Sequence, residues 1–252
     1  MKITIESYTP NALDLLLKTK GTRLSHNEDP TKWSDKTKKE HLEYMRDTIK
    51  SSWEFVDYTF LIEGVTRAFT HQFVRTRTGS YAQETMRAID VRDHAVNEPE
   101  SISADGEFDS YWHSGINSAL NYYSRLIDAG APIQDARGIL PTNITTSIWA
   151  KFNLRTLHDM AKLRLFTRTA GEYQNVFRLM REAVLEVHPW AEDFIQVHCV
   201  ESGTCAFPRY GKTECPIYDI EMDNTLLKEK TKKKFWSIRY EANPVSKEGM
   251  TQ

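Results

Sequence analysis

Residues 75–87 read RTRTGSYAQETMR. Three arginines, Arg75, Arg77 and Arg87, surround hydroxyl and amide side chains, and residues 66–82 contain no acidic side chain. Ion pairs within that stretch are therefore not available, and arginine binds phosphate oxygens through charge-assisted hydrogen bonds. The segment predicts a phosphate-bearing ligand. Surface arginines that pair with carboxylates from elsewhere in the chain remain the alternative.

The segment is surrounded by predicted strands and helices. Runs of β-branched and aromatic residues predict strands, and apolar residues at helical spacing predict helices. The strands are expected at 2–7, 56–65 and 143–152, with an extended stretch at 80–89. The helices are expected at 36–51, 66–77, 110–130, 131–141, 154–166 and 169–187. Polar composition predicts exposed loops at 18–40 and 91–108.

The bulk composition restricts the class of protein. The chain has 252 residues, a formal net charge of −2 and a pI near 6.5, which does not favour a nucleic-acid partner. No stretch approaches the roughly 18 apolar residues of a membrane span, and the first residues lack the apolar core of a secretory signal. Three cysteines are too few for a disulfide framework and fit a reducing compartment. We therefore expect a cytoplasmic protein without a membrane segment.

A second polar set lies in DARGILP (135–141) and NLRTLHDMAKLR (153–164). Arg155, Asp159 and Lys162 are spaced to share one helix face, so an intrahelical salt-bridge ladder is one interpretation. Arg164 follows a largely apolar run, where an arginine usually has a bound partner. The alternative is that this set helps to bind a ligand.

A metal site is the weaker possibility. His198, Cys199, Cys205 and Cys215 are residue types that bind zinc, but the paired C-x-x-C spacing of a zinc knuckle is absent. We therefore assign no metal and keep zinc as an open alternative for this segment.

Several separated stretches, in order, resemble the flavin-dependent thymidylate synthases. RTRTGSYAQETMR is similar to that family's R-H-R-x-x-S segment and its arginine-ending continuation. The stretch that precedes it, SSWEFVDYTFLIEGVTRAFTHQFVRTR, resembles the family's hydroxyl residue, acid, strand and G-V-S-R turn. YSRLIDAGAPIQDARGILP and NLRTLHDMAKLR resemble two further family segments. The resemblance covers roughly residues 40–188.

The resemblance implies a fold and a reaction. The expected fold is α/β (α+β), with a central mixed or antiparallel sheet and long helices, assembled as a homotetramer with active sites shared between chains. The implied reaction transfers a one-carbon unit from methylenetetrahydrofolate to uracil C5 of dUMP, with FAD as cofactor, NADPH as reductant and no cysteine nucleophile. Residues 1–190 would form the synthase domain, and residues 191–252 an extension of unknown role.

The resemblance also assigns roles to single residues. Arg164 would be catalytic, because it would stabilise negative charge that develops in the uracil ring. The residues implied to contact dUMP are Gln72, Arg75, Gln83, Thr85, Arg87, Arg137 from another subunit, and Arg164. The residues implied to contact FAD are Ser51, Arg77, Asn153, Arg155 and Asp159.

The chain departs from the family at several positions. Ile49, Phe55 and Thr76 stand where the family has histidine, and Gln83 replaces a glutamate. These changes leave two alternatives to dUMP methylation. One is a same-fold enzyme that makes another C5-modified pyrimidine nucleotide such as hydroxymethyl-dUMP, and the other is a nucleotide-binding paralogue without catalysis.

Overall fold

A computed structural model of the chain describes residues 1–24, 29–48, 50–169, 171–209 and 214–215. Its strands are β1 (Lys2–Tyr8), β2 (Asp57–Thr66), β3 (Ser80–Gln83) and β4 (Thr145–Asn153). Its α-helices are α1 (Ala12–Arg23), α2 (Asp35–Arg46), α3 (Arg67–Phe73), α4 (Glu100–Ser103), α5 (Gly106–Asp128), α6 (Ile133–Ala136), α7 (Leu154–Arg164), α8 (Gly171–Val187) and α9 (His198–Ser202). Short 3-10 segments cover Pro30–Lys32, Lys50–Phe55, Arg137–Ile139 and Pro189–Asp193. Among these described helices, none has both the length and the apolar composition that crossing a bilayer requires.

The four strands form one sheet in the order β1-β2-β4-β3. Strands β3 and β4 are antiparallel, with Ser80 opposite Lys151 and Gln83 opposite Ile148. Side chains along β2 and β4 alternate between buried and less buried positions, as expected for strands with two distinct faces. The expectation of an α/β protein with a central sheet and long helices is confirmed.

Side-chain caps determine where the helices next to the predicted site begin. The Thr66 hydroxyl accepts a hydrogen bond from the Phe69 N–H at the start of α3, directly after β2. The Asn153 side-chain oxygen accepts from the Thr156 N–H at the start of α7, directly after β4. A capping side chain satisfies an otherwise unpaired N–H, so both strand-to-helix junctions are fixed locally.

The chain forms two compact units. Unit one comprises residues 1–4 and 60–151. One of its apolar clusters contains Val91, Tyr123, Ala136 and Ile144. Gly64 has a φ of +68°, and a Cβ built there would lie 3.2 Å from the backbone nitrogen of Met1, so both backbone conformation and space favour glycine.

Unit two comprises residues 5–59 and the described residues from 152 onward. Helices α7 and α8 supply many of its buried side chains, including Leu157, Phe177 and Met180. The buried ring of Trp53 lies 4.9 Å from the ring of His158 on α7 and 4.8 Å from that of Phe194. These contacts attach the Lys50–Phe55 segment to α7.

Several predicted elements differ from the structure. The helix expected at 66–77 is α3, which ends at Phe73, and the loop expected at 91–108 contains α4 and the start of α5. The expected loop at 18–40 contains the end of α1 and the start of α2, and the helix expected at 36–51 is α2, which ends at Arg46. The leucines of α1 include three consecutive residues, 15–17, so the sequence shows no clear helical stripe. The extended stretch expected at 80–89 ends at Gln83, because a turn follows in which the Thr85 hydroxyl accepts a hydrogen bond from the Arg87 N–H.

Candidate active site

The predicted site residues are divided between the two units. Unit one contains Gln72, Arg75, Arg77, Gln83, Thr85, Arg87 and Arg137. Unit two contains Ser51, Asn153, Arg155, Asp159 and Arg164.

In unit one, the turn after α3 presents Arg75 and Arg77 to solvent. The Tyr81 hydroxyl lies 2.7 Å from the backbone oxygen of Thr76 and 3.1 Å from that of Phe73, which fixes this turn to β3. Both guanidinium groups are exposed, and neither has an ion-pair partner within the described part of the chain. The alternative in which these arginines pair with carboxylates is therefore not observed in the described residues.

Arg87 and Thr85 lie on the turn that ends β3. Both side chains are exposed, and the Thr85 hydroxyl accepts the Arg87 N–H over 3.2 Å. Among the residues that the structure covers, no carboxylate pairs with the Arg87 guanidinium. Arg87 is therefore a third arginine of the quoted segment that can bind an external anion.

Gln83 occupies an internal hydrogen bond. Its amide nitrogen donates to the Thr70 hydroxyl over 2.8 Å, and that hydroxyl in turn donates to the backbone oxygen of Arg67. Gln72, on the same helix as Thr70, is exposed. The Gln83 side chain thus ties β3 to α3 while its carbonyl oxygen is left for another donor.

Arg67 is a residue of this region that the sequence analysis did not single out. Its Nη2 donates to the backbone oxygen of Glu84 over 2.6 Å, and its buried Nε has no hydrogen-bond partner among the described residues. Burial lowers the pKa of Arg67, the Glu84 carboxylate raises it, and Arg137 lowers it. Arg67 therefore lies near both a carboxylate, Glu84, and a second arginine, Arg137.

Glu84 itself is held in place by neighbouring strand residues. Its Oε2 accepts from the Ser147 N–H at 3.2 Å and from the Thr146 hydroxyl at 3.3 Å. The Arg137 side chain is exposed, and its Nε donates to the backbone oxygen of Gln134. The terminal nitrogens of Arg137 are therefore left for another partner.

In unit two, the predicted flavin residues include two with internal contacts. The Ser51 hydroxyl accepts from Arg23 Nη1 at 3.2 Å, and Arg155 Nη1 forms an ion pair with Glu54 Oε1. The side chains of Arg155 and Glu54 are each about half exposed. The intrahelical ladder of Arg155 with Asp159 and Lys162 is not found in the described residues, because Arg155 pairs across 101 residues of sequence instead.

Asn153 and Asp159 lie on α7. The oxygen of the Asn153 side chain caps the helix, which leaves its amide N–H groups for a ligand. Asp159 is exposed, one residue beyond the buried His158. A polar exposed edge therefore runs along the first turns of α7.

Arg164 is the last residue of α7 and is half-buried. Its guanidinium carbon lies 4.2 Å from the centre of the Tyr173 ring. Within the described residues no carboxylate neutralises it, although Tyr173 gives it a cation-π contact. A partly desolvated cation without a counter-charge is suited to stabilising an anion.

A cluster of charged residues on the other face of α7 was not predicted. Lys162 Nζ lies 3.2 Å from Glu201 Oε2, His158 Nε2 lies 3.5 Å from Glu201 Oε1, and Lys50 Nζ lies 3.9 Å from the same oxygen. Lys50 Nζ also contacts His158 Nε2. Glu201 belongs to α9, so the sequence offered no spacing rule that would bring these residues together.

The contacts of His158 define its tautomer. Its Nδ1 lies 2.7 Å from the backbone oxygen of Phe194, which can only accept, so Nδ1 carries the proton. The Lys50 ammonium donates to Nε2, which must then be unprotonated. Burial lowers the pKa of His158, which agrees with a neutral ring. Burial and the nearby Lys162 also lower the pKa of Lys50.

The positions that depart from the family pattern are only partly described. Thr76 lies in the turn after α3, and its backbone oxygen accepts from the Gly79 N–H. Phe55 has a 58% exposed side chain, which is high for a phenylalanine. Ile49 lies outside the described residues.

The open zinc alternative finds no support in the described residues. In that part of the chain, three side chains of metal-ligand type lie with their ligand atoms within 4.8 Å of one another only at Glu98, Asp109 and His113. None of the three free cysteines belongs to this group.

Comparison with known proteins identifies relatives of the chain. The family model described as "Thymidylate synthase complementing protein" matches residues 4–190. A flavin-dependent thymidylate synthase from Pyrococcus furiosus is 34% identical over 166 residues, which cover 62% of this chain and 67% of the relative. Proteins of the same name from Sulfolobus acidocaldarius and Geobacter sulfurreducens are 32% identical over 163 residues and 33% identical over 142 residues. These alignments cover 62% and 56% of this chain and 62% and 61% of the relatives.

Proposed function

This chain belongs to the thymidylate synthase complementing protein family, and we propose that it is a flavin-dependent thymidylate synthase acting on dUMP. The observation that carries the proposal is the exposed arginine segment, in which Arg75, Arg77 and Arg87 have no ion-pair partner among the described residues. The methyl group of the product derives from methylenetetrahydrofolate, and NADPH is the reductant.

Arginines of the segment 75–87 bind the phosphate of dUMP. A phosphate dianion accepts several charge-assisted hydrogen bonds at once, and Arg75 and Arg87 have free guanidinium donors to give. Gln72, Gln83 and Thr85 complete the polar surface of unit one around the nucleotide, and Arg137 comes from another subunit.

Arg164 acts on the uracil ring. When uracil C5 attacks a one-carbon unit, negative charge develops in the uracil ring. A fixed cation beside the ring lowers the energy of this charged state. The half-buried guanidinium, held against Tyr173, is partly desolvated and therefore interacts strongly with developing charge. No cysteine nucleophile is needed for this activation.

FAD is held by Ser51, Arg77, Asn153, Arg155 and Asp159. The residues present fit the group. In unit two, the Asn153 amide N–H groups and the exposed Asp159 carboxylate offer donors and an acceptor, and in unit one the unpaired Arg77 guanidinium offers a positive charge. When bound and reduced, the flavin supplies the electrons that convert the transferred unit into a methyl group. The residues of the chain bind and orient the cofactor.

The protein acts as a homotetramer in the cytoplasm. Tyr123 is the only buried residue of the 23-residue helix α5, whereas Phe108, Tyr111 and Tyr122 are each more than half exposed. These rings and Gly115 follow a heptad-like spacing on one face, where nothing lies within 4 Å of a Cβ built on Gly115. Exposed aromatic rings on one helix face support association with further copies of the chain.

The proposal is tested by purifying the protein and recording its absorbance. We expect a yellow protein whose flavin band bleaches when NADPH is added anaerobically, more completely with dUMP present. A colourless protein that takes up no added FAD would contradict the flavin-dependent function. A colourless protein that still binds dUMP would favour the paralogue without catalysis.

A further inference from the structure

Several described residues beyond the family match are part of the packed interior of unit two. The match ends at residue 190, yet Phe194, Ile195, Val197 and Cys199 are all buried. Arg181 of α8 donates its Nε to the backbone oxygen of Ile195 over 2.8 Å, and burial lowers the pKa of this arginine to about 10. The start of the extension therefore has a fixed path along α8 and α7.

This fixed path delivers Glu201 to a defined place. Phe194 packs on Trp53 and accepts a hydrogen bond from His158, so it contacts both the Lys50–Phe55 segment and α7. Helix α9 begins four residues later and ends at Ser202, and the following Gly203, with a φ of +74°, adopts the left-handed conformation of a helix cap. The Glu201 carboxylate thereby meets Lys50 and Lys162.

Glu201 supplies the carboxylate that opposes the positive charges of the two lysines in this cluster. Two ammonium groups, Lys50 and Lys162, surround the neutral His158, and the side chain of Glu201 is only 18% exposed. Asp159 on the exposed edge also acts on Lys50. Removal of the Glu201 charge would leave two partly buried cations in mutual repulsion, and a buried unpaired charge is strongly unfavourable.

We infer that Glu201 is a positioning residue for FAD, which sets the distance between the Ser51 segment and α7. Lys50 is the residue before Ser51, and His158 and Lys162 flank Asp159 on α7, so one carboxylate links both proposed flavin-binding segments of unit two. This inference rests on the proposed function. It gives the first helix of the extension a role in cofactor binding.

The test compares Glu201→Gln with Glu186→Gln in the full-length protein. Glu186 is an exposed carboxylate on α8, so its variant removes the same charge away from the cluster. FAD affinity is measured by the change in flavin fluorescence, and kcat is measured at saturating FAD. Because coupled charges commonly interact by about 1 kcal/mol or more, we expect Glu201→Gln to weaken FAD binding about five- to tenfold. We expect kcat to be nearly unchanged.

A second variant separates positioning from a general loss of stability. Glu201→Gln combined with Lys162→Gln removes one cation together with the anion, so FAD affinity should recover part of the loss. FAD binding by Glu201→Gln equal to that of Glu186→Gln, with normal activity in the parent protein, would overturn this inference alone. Recovery of melting temperature without recovery of FAD affinity in the double variant would also overturn it. Failure of the parent protein to bind FAD would overturn both the inference and the proposed function.

Discussion

The Nδ1 atom of His158 donates a hydrogen bond to the backbone oxygen of Phe194 over 2.7 Å. Because Nε2 accepts from Lys50, a second proton on this ring would displace that hydrogen bond. The Glu201 carboxylate, 3.5 Å from Nε2, opposes the effect of burial on the pKa of His158, but burial is the larger effect. The ring is 1% exposed, so protonation would place an additional charge beside Lys50 in the interior of unit two. His158 is therefore held neutral by its surroundings.

The neutral state of His158 predicts a pH dependence of stability. Burial lowers its folded-state pKa below the ordinary 6.5, so at lower pH the unfolded chain binds more protons than the folded one. The free energy of unfolding should fall as pH drops below 6.5, by at most about 1.4 kcal/mol per pH unit for this ring, and the fall should end below the folded-state pKa.

Urea unfolding of the parent protein and of His158→Gln, at pH 7.5 and pH 5, measures this contribution. Glutamine can still donate to Phe194 and accept from Lys50, but it does not titrate, so part of the pH dependence should disappear. His188, whose pKa burial also lowers, should account for part of the remainder. His71→Gln, at an exposed position, is the control, and an equal effect of both variants would refute the role of His158.

Replacement of Arg87 by alanine should weaken dUMP binding. The guanidinium has no carboxylate partner in the described residues, so its charge is available to the phosphate. We expect a loss of about 2 kcal/mol, or roughly thirtyfold in Kd, if the contact is desolvated. Arg92→Ala is the matched control, because Arg92 is already paired with Asp90 and Asp128. Titration calorimetry measures the Kd for dUMP of both variants. Equal Kd values would exclude the assignment of Arg87 to the phosphate.

Replacement of Arg164 by alanine should abolish turnover and leave the fold intact. Loss of a charge that stabilises a developing anion typically costs about 10²- to 10³-fold in kcat. Arg164→Lys retains the positive charge and should keep more activity than Arg164→Ala. Steady-state kinetics measures kcat of both variants, and far-UV circular dichroism checks that they are folded. Full activity of the alanine variant would exclude a catalytic role for Arg164.

A carboxylate on the exposed face of α5 should dissociate the proposed tetramer. Tyr111 is 69% exposed in the single chain, and burying an unpaired charge there costs several kcal/mol. Light scattering after size exclusion should show a tetramer for the parent and smaller species for Tyr111→Glu. Asn117→Glu lies on the opposite side of α5 and should remain tetrameric. Dissociation by Asn117→Glu alone would place the interface elsewhere.

The sequence was most informative for those site residues that lie within one helix or one short segment. The arginine segment was recognisable because residues 66–82 contain no acid, and the helix around Arg164 because its apolar residues repeat. Elements with clear strand or helix periodicity, such as β2, β4 and α8, were predicted to within a few residues.

The contacts that the sequence could not reveal are long-range. Glu54 pairs with Arg155 across 101 residues, and Lys50 meets His158 across 108. No helical or strand period connects such positions, so only the folded chain shows that the Arg155–Asp159–Lys162 spacing does not form a ladder. Helix α1 was missed because its leucines are consecutive, and the role of Glu201 because α9 is a single short helix.

The most direct test of the account is the identity of the nucleotide product. The purified protein is incubated with dUMP, FAD, NADPH and methylenetetrahydrofolate that is labelled in its transferred carbon. The nucleotides are then separated, and their masses are measured by mass spectrometry. We expect labelled dTMP, formed only when both FAD and NADPH are present. Unchanged dUMP, or hydroxymethyl-dUMP as the sole product, would contradict it.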